Sequence, residues 1–218
     1  MGRCLGLLAP NTKHQTPNTK MQKELINNLE EVFVLRGFLS PAECAAHIAA
    51  SEAVGYGDAP INTFAGQVVN KRMRNNDRVM VDDPTLAAAM WDRLRPFMAL
   101  KRGTGWEAVG LNERFRFYRY DPGQRFDWHF DGAFERSPTE ISAFTFMAYL
   151  NDGFEGGETA FNMNFGDGIR ADDPITRITP EAGMALVFVH RILHQGAVVT
   201  SGRKYVLRSD VMYRWSSK

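Results

Sequence analysis

A histidine and an aspartate with one residue between them could supply two ligands to one metal ion. His129 and Asp131 lie in the stretch Phe-Asp-Trp-His-Phe-Asp at residues 126–131, where aromatic and polar side chains alternate. This period of two is typical of a half-buried strand. It predicts that the imidazole and the carboxylate share one face of the strand, while the aromatic side chains anchor the other face in a core. A second imidazole would complete a facial metal site.

Two histidines downstream are candidates for that second imidazole, His190 and His194. On a helix, their four-residue spacing would place both on one face as a metal pair. The run Ala-Leu-Val-Phe-Val before them and the extended stretch after Gly196 are strand-like, which favours His194 and leaves His190 at a strand end near the site. Two histidines and one carboxylate form the ligand set of non-haem Fe(II) oxygenases.

An iron ion held in this way needs an electron source to activate dioxygen, and 2-oxoglutarate is the usual one. Its C1 carboxylate and keto oxygen would take two metal positions, and its C5 carboxylate would need a buried cation. Lys204 and Arg208 share one face of the last predicted strand, and Lys204 follows His194 by ten residues. Arginine offers bidentate geometry and lysine a point charge, so both remain candidates for the anchor.

Taken together, the motifs from about Phe115 to Tyr213 resemble the prolyl 4-hydroxylase-like branch of the Fe(II)/2-oxoglutarate-dependent dioxygenases. The order and spacing of the motifs carry this resemblance more than any single one. They are Tyr120-Asp121-Pro122-Gly123-Gln124, His129-Phe130-Asp131, Thr145 through Tyr149-Leu150, Gly156-Gly157-Glu158-Thr159, His194-Gln195-Gly196 and Gly202-Arg203-Lys204.

The resemblance implies a double-stranded β-helix (jelly-roll, cupin-like) core with iron on His129, Asp131 and His194. It implies that Lys204 pairs with the C5 carboxylate of 2-oxoglutarate and that Tyr120 and Thr145 line the cosubstrate pocket. Dioxygen would be the second cosubstrate, and ascorbate would keep the iron reduced. The sequence departs from the family three residues before the first ligand. Members that act on peptidyl proline often carry tyrosine there, and this chain has Phe126.

Composition limits the class of protein. The chain has 218 residues and a net charge of +1, which indicates no general attraction to nucleic acid or to an anionic membrane. Its two cysteines, Cys4 and Cys44, are far apart, which argues against a disulfide scaffold and favours the cytoplasm. Nothing in the sequence indicates an oligomeric state.

The elements that must position these residues form a mainly β domain with N-terminal helices. Residues 1–20 read as a disordered lead-in, and 21–218 as a single domain with helical support and a lid at 21–110 and the jelly-roll core at 111–218. A strand is expected at 31–38, helices start at Pro41 and Pro84, and strands follow from Arg114. Residues 55–82 read as irregular, and the part at 62–80 is predicted to be a lid in which Arg74 or Arg78 faces the substrate. A solvated connector without a role in binding is the alternative.

The sequence therefore predicts an enzyme that hydroxylates an unactivated C–H bond. A prolyl or other side chain in a peptide or protein is the first choice of substrate. A free amino acid or small metabolite is the alternative, and Phe126 favours it. A cupin-like binding or sensor protein without turnover is the alternative of another class, and the complete set of metal ligands plus a cosubstrate cation argues against it.

Overall fold

A large antiparallel sheet forms the body of the protein and provides most of the walls of its central cavity. The computed structural model describes residues 21–63, 66–165, 170 and 172–216. The helices are α1 (Pro41–Val54) and α2 (Pro84–Leu94), and a short 3-10 helix, Arg95–Phe97, follows α2. No helix in the described part of the chain is long and apolar enough to span a membrane.

The strands are numbered in chain order. They are β1 (Gln22–Ile26), β2 (Leu29–Arg36), β3 (Gly57–Asp58), β4 (Ile61–Thr63), β5 (Gly66–Val68), β6 (Asp77–Asp82), β7 (Lys101–Arg102), β8 (Trp106–Leu111), β9 (Arg114–Tyr120), β10 (Phe126–His129), β11 (Glu135–Ser137), β12 (Glu140–Tyr149), β13 (Glu155–Gly156), β14 (Thr159–Asn162), β15 (Ile175–Ile178), β16 (Ala185–Val189), β17 (His194–Gly196), β18 (Val199–Ser201) and β19 (Lys204–Trp215).

Two sheets face each other in the arrangement of a jelly roll, which confirms the predicted fold class. The major sheet runs in the order β1-β2-β16-β12-β19-β9-β6-β3, and β8 pairs with the far end of β19. The minor sheet has the order β10-β17-β14-β15. Closing two sheets around a cavity leaves the inner faces for ligand side chains and the outer faces for packing.

Strand β19 is the centre of the major sheet, with β12 on one side and β9 and β8 sharing the other. Residues directly opposite in an antiparallel pair lie on the same face. The pairs Lys204–Tyr120, Val206–Tyr118 and Arg208–Arg116 are opposite one another in the β19–β9 ladder. These six side chains therefore belong to one face of the sheet, the face that looks toward the minor sheet.

The helices cover the opposite face of the major sheet. The Ser40 hydroxyl accepts the Glu43 N–H at 3.2 Å and the Glu43 carboxylate accepts the Ser40 N–H at 2.8 Å, which is the capping box predicted at the start of α1. The ring of His47 in α1 lies 6.2 Å from that of Phe117, whose side chain points away from the cavity. Buried phenyl rings such as Phe115 and Phe146 complete this layer, so the sheet is held rigidly from outside.

Two predictions about the N-terminal half are wrong. Residues 55–82 contain four strands rather than an irregular stretch, and β6 pairs along its length with β9 in the major sheet. The first strand of the fold, β1, lies before the predicted 31–38 strand, which is observed as Leu29–Arg36. The strand at β6 depends on tertiary contacts and not on its local sequence. β6 (Asp-Arg-Val-Met-Val-Asp) is short and charged at its ends, and its pairing with β9 stabilises it. Residues 1–20, including Cys4, lie outside the described residues.

Candidate metal centre and cosubstrate pocket

His129 and His194 face each other across the two strands of the minor sheet that border the cavity. They are directly opposite in the β10–β17 ladder, and their ring centroids are 4.2 Å apart. Asp131 completes the group: its carboxylate oxygens lie 3.7 Å from Nε2 of His129 and 3.6 Å from Nε2 of His194. One donor atom from each residue lies within 4.8 Å of the other two. The structure thus brings together the three residues that the sequence predicts as metal ligands.

The sequence reached this group through a local geometry that is partly wrong. Strand β10 ends at His129, so Asp131 lies beyond it, where its N–H donates to the carbonyl of His190 at 3.2 Å. The aromatic residues do not form a buried opposite face either. Phe126 stacks on the His129 ring with centroids 3.5 Å apart, and Phe130 is 43% exposed. The β10–β17 ladder is irregular between Phe126 and His129, and this breaks the alternation of faces.

Hydrogen bonds fix both imidazoles in the form that binds a metal. Nδ1 of His129 lies 2.7 Å from the carbonyl of Asp127, and Nδ1 of His194 lies 3.0 Å from that of Ile192. A carbonyl only accepts, so each Nδ1 carries the hydrogen and each Nε2 keeps a free lone pair toward Asp131. Burial, together with the neighbouring His129, lowers the pKa of His194 to about 3, which keeps this imidazole neutral.

The carboxylate of Asp131 is held ionised by its neighbours. Its side chain is 4% exposed, and one oxygen lies 2.9 Å from Nη1 of Arg208. Burial alone would raise the pKa of this carboxyl, but the charge of Arg208 and the two imidazoles outweigh it, and the pKa lies well below its usual range. Each carboxylate oxygen has two acceptor positions, so a hydrogen bond and a metal can share one oxygen.

A buried chain of hydrogen bonds reaches Asp131 from the side of the major sheet. The Thr145 hydroxyl donates to Asp131 at 2.5 Å and lies 3.1 Å from Nδ1 of His190, whose Nε2 lies 2.9 Å from the hydroxyl of Ser142. The Ser142 oxygen also accepts the N–H of Phe134 at 2.7 Å. Every proton is therefore assigned: serine donates to Nε2, and Nδ1–H donates to threonine. His190 belongs to this chain and is not among the three grouped donors.

The donor set fits Fe(II). Two imidazole nitrogens and one carboxylate would hold such an ion from one side, and this is the ligand set of non-haem iron oxygenases. The hydrogen-bonded Nδ1 atoms and the oriented carboxylate supply the outer support that metal ligands in proteins require.

Lys204 is a buried cation on the wall of the same cavity. It is 2% exposed, and its Nζ donates to the carbonyl of Gly157 at 2.5 Å and lies 5.2 Å and 5.4 Å from the ring centroids of Tyr120 and Tyr149. It has no ion pair with any described residue. Burial lowers its pKa to about 7, although the charge of Glu158 acts in the other direction. Such a cation is ready for the carboxylate of a ligand.

Arg208, the other candidate for the anchor, is already engaged. Besides Asp131, its guanidinium lies 3.5 Å from Asp210 and 3.5 Å from the Thr145 hydroxyl, while its Nε is buried without a partner. Tyr120 is buried beside Lys204, and burial raises the pKa of its phenol to about 12, so that it keeps a hydrogen to donate. The cavity is thus lined by all seven residues that the sequence proposed for the site.

The region predicted to be a lid contributes differently from the expectation. Arg74 is 4% exposed and lies over the rings of Tyr118 and Phe126, 4.4 Å and 4.3 Å from their centroids, so it packs against two residues that line the cavity. Arg78 lies in β6, opposite Tyr118. Ring contacts therefore hold the Arg74 side chain, and sheet pairing fixes the backbone of Arg78. Ordering of residues 62–80 by substrate stays a prediction.

Sequence reasoning missed several residues that line the cavity. Tyr118, Met147, Phe188, Val206 and Gly196 all belong to its wall. The alternation in Arg114–Tyr120 would have placed Tyr118 on the face of Tyr120, and this signal was present in the sequence. The place of Phe188 in the wall depends on the pairing of β16 with β12, which sets it opposite Thr145, and a sequence does not display the register of two distant strands.

The comparisons with known proteins agree with this geometry. Residues 115–209 match the model of the 2OG-Fe(II) oxygenase superfamily. This stretch, a little under half of the chain, is similar to that superfamily. The match begins in β9, ends in β19 and includes the three grouped donors, Lys204 and Arg208. The resemblance seen in the sequence is confirmed. None of the curated protein sequences compared matches the chain.

Solved 2OG-Fe(II) oxygenases and related enzymes share the fold. A Pseudomonas putida prolyl-4-hydroxylase is 19% identical, with a TM-score of 0.61, over 83% of this chain and 92% of that one. A Trichoplax adhaerens prolyl hydroxylase, solved with a hypoxia-inducible-factor peptide, is 15% identical with a TM-score of 0.64 over 84% of each chain. The α-ketoglutarate-dependent carbocyclase SnoK is 17% identical with a TM-score of 0.59, covering 84% and 79%. The shared fold thus supports different reactions in these relatives.

Proposed function

We propose that this protein is an Fe(II)- and 2-oxoglutarate-dependent dioxygenase that hydroxylates an unactivated C–H bond. The observation that carries the proposal is the pairing of two groups across one cavity. Two imidazoles and a carboxylate lie on one side, and Lys204, a buried lysine without an ion pair to any described residue, lies on the other. A metal and a dicarboxylic cosubstrate satisfy both groups at once.

Each residue has a separate task in this proposal. His129, Asp131 and His194 hold the iron, and Lys204, with a hydroxyl from Tyr120, holds the C5 carboxylate of 2-oxoglutarate. Iron and 2-oxoglutarate, when bound with dioxygen, supply the oxidation that inserts one oxygen atom into the substrate and converts 2-oxoglutarate to succinate and carbon dioxide.

The walls of the cavity keep water away from the site. Phe126, Phe188 and Val206 are apolar side chains of the lining, and Phe126 covers one face of the His129 ring. Exclusion of water strengthens the electrostatic contacts inside the cavity. It also protects a reactive site from side reactions. We include Thr145 in the machinery because it orients Asp131.

The substrate is proposed at two levels. A prolyl or other side chain in a peptide or protein is supported by the prolyl hydroxylases among the structural relatives, one of them solved with a peptide. A free amino acid or small metabolite is supported by Phe126, since members acting on peptidyl proline often have tyrosine there.

We further propose ascorbate as reductant, residues 21–218 as one catalytic unit, a cytoplasmic location, and no nucleic-acid or membrane partner.

The experiment that tests the proposal measures succinate. The iron-loaded protein is incubated with 2-oxoglutarate, ascorbate, and either a peptide library or a pool of metabolites, and the products are searched for the added mass of one oxygen atom. Succinate that depends on iron and on 2-oxoglutarate is expected, and His194→Ala should abolish it. Binding of both ligands without any succinate would identify a binding protein instead.

A further inference from the structure

Four arginines converge on the inner face of the major sheet, beside the proposed iron site. Arg78, Arg116 and Arg208 lie on neighbouring strands β6, β9 and β19, and Arg116 and Arg208 are directly opposite in their ladder. Arg74 approaches from the turn before β6 and stacks on Tyr118. We call this group, with Tyr118, the arginine cluster.

The cluster contains more positive charge than the protein balances. Arg116 and Arg208 share Asp210, at 2.9 Å and 3.5 Å, and Arg208 also pairs with Asp131. Arg74 and Arg78 form no ion pair with any residue in the described part of the chain. The charges that act on Arg78 include those of Arg74, Arg116 and Arg208, which lower its pKa after the larger effect of burial.

Polar atoms of the cluster also lack hydrogen-bond partners. Nη2 of Arg74 and Nε of Arg208 are fully buried and have no hydrogen-bond partner. The rest of the Arg74 side chain is also buried, at 4% exposure, and its Nε donates to Asn76 at 2.8 Å. A buried donor without a partner costs free energy, and it costs more when it is charged. Arg208 and Tyr118 line the cavity itself, so a ligand there can reach the cluster.

A metal would increase this imbalance. Asp131 is both a proposed iron ligand and a partner of Arg208, so a divalent cation bound to it weakens the charge balance of the arginine. The C1 carboxylate of the cosubstrate would be taken up by the metal itself, and its C5 carboxylate is assigned to Lys204, four residues away on β19, so neither is left to pair with the other arginines of the cluster. At about 3.3 Å per residue, the two positions are about 13 Å apart along the strand.

We propose that the arginine cluster is a carboxylate-binding subsite for the substrate, with Arg208 and Tyr118 as its contacts in the cavity and Arg78 adding positive charge from the neighbouring strand. The inference rests on the proposed function and specifies the substrate class: the molecule that is hydroxylated carries a carboxylate close to the reacting carbon. A planar guanidinium beside a phenol hydroxyl binds a carboxylate by paired hydrogen bonds, which neutral groups of the same shape cannot form. A free carboxylic acid and an acidic residue in a peptide share this chemistry.

The test uses the protein loaded with Mn(II) and N-oxalylglycine, an unreactive analogue of 2-oxoglutarate, so that binding is separated from turnover. The first step measures stabilisation by these two ligands alone. If they do not bind, the proposed function fails, and the subsite is then not in question. If they bind, propionate and its neutral counterpart propionamide are compared at constant ionic strength by the shift in Tm and by calorimetry.

Propionate is expected to bind and propionamide is not. Arg78→Gln and Arg208→Gln should each raise the dissociation constant of propionate at least about tenfold. Arg78 contacts neither Asp131 nor Asp210, so its replacement leaves those ion pairs intact. Arg119→Gln is the matched control: this arginine of β9 pairs with Glu52 and Asp77 away from the cavity, and propionate binding should not change. Calorimetry also measures the affinity of each variant for N-oxalylglycine, which shows whether the substitution weakens binding of propionate or of the cosubstrate analogue.

Two results would overturn the proposal. One is equal binding of propionate and propionamide. The other is an Arg208→Gln variant that loses N-oxalylglycine but keeps propionate, which would assign Arg208 to the cosubstrate. A capped tripeptide with a central glutamate, compared with its glutamine form, then separates the two sources of carboxylate. Binding of propionate alone indicates a small acid, and binding of the glutamate peptide alone indicates an acidic residue.

Discussion

The Thr145 hydroxyl lies 2.5 Å from a carboxylate oxygen of Asp131, and His190 lies behind it at 3.1 Å. The hydroxyl thereby holds the carboxylate in the orientation in which its oxygens face the Nε2 atoms of both grouped histidines. The group of three proposed metal ligands is thus supported by a residue of the major sheet, although two of the three lie in the minor sheet. This relationship makes the two sheets interdependent at the site.

Removing the Thr145 hydroxyl should weaken the metal. Thr145→Val keeps the shape of the side chain but frees one oxygen of Asp131, and we expect metal affinity to fall about 10- to 100-fold. Competition titration with Mn(II) measures this. Thr159→Val is the matched control, since that buried threonine bonds to Tyr149 at 2.7 Å and touches no proposed ligand. Equal losses in both variants would contradict an orienting role for Thr145.

His190 should act through a proton and not through the metal. His190→Leu removes the donor to Thr145 and should lower metal affinity about tenfold, while His194→Ala should abolish binding because a ligand is lost. His190→Asn is expected to restore most of the affinity, since its amide can donate to Thr145 and accept from Ser142. A metal that is retained in His194→Ala and lost in His190→Asn would identify His190 as the ligand.

Binding of 2-oxoglutarate should weaken as pH rises through about 7. Burial lowers the pKa of Lys204 to about 7, so the free protein loses the ammonium charge above that pH. A dianion binds the ammonium form, and its dissociation constant should rise toward about tenfold per pH unit above the pKa. Calorimetry of the Mn(II) form between about pH 6 and 9 measures this. Lys204→Arg keeps its charge and should bind less tightly but without this pH dependence. An unchanged affinity across the range would remove Lys204 as the anchor.

Gly183 should be required for the fold. Its φ is +79°, and a Cβ there would lie 2.1 Å from the carbonyl oxygen of Leu39, the residue whose N–H donates to Gly183 at 3.0 Å. Gly183→Ala is expected to lower the free energy of unfolding by at least about 1 kcal/mol. Gly110→Ala, where nothing lies within 4 Å of the added Cβ, is the control and should change stability less. Urea unfolding of both variants decides this.

The sequence predicted the site better than the scaffold that holds it. The three grouped donors and Lys204 were proposed from residue type and spacing together with the family resemblance, and the structure places all four around one cavity. The capping box at Ser40 was predicted from local sequence alone. The position of Asp131 beyond the end of β10 was not predicted, because the irregularity of the β10–β17 ladder depends on how the distant strand β17 pairs with β10.

Features that depend on distant pairing could not be read from the sequence. β6 looks like a charged loop until it pairs with β9, and that pairing places Arg78 opposite Tyr118, a residue of the cavity wall. Arg116 likewise meets Arg208 only through the register of β9 with β19. In each case the paired residues are far apart in the chain. The periodicity within one strand does not predict how that strand is aligned with its partner.

The pairing of His129 with His194 also has a consequence for the order of folding. The strands that carry them are separated in sequence by the six strands β11 to β16, so their contact is of high contact order and is expected to form late in folding. An iron ion added to the unfolded chain would therefore find no preformed site. Its stabilisation should appear as slower unfolding, with little change in the folding rate.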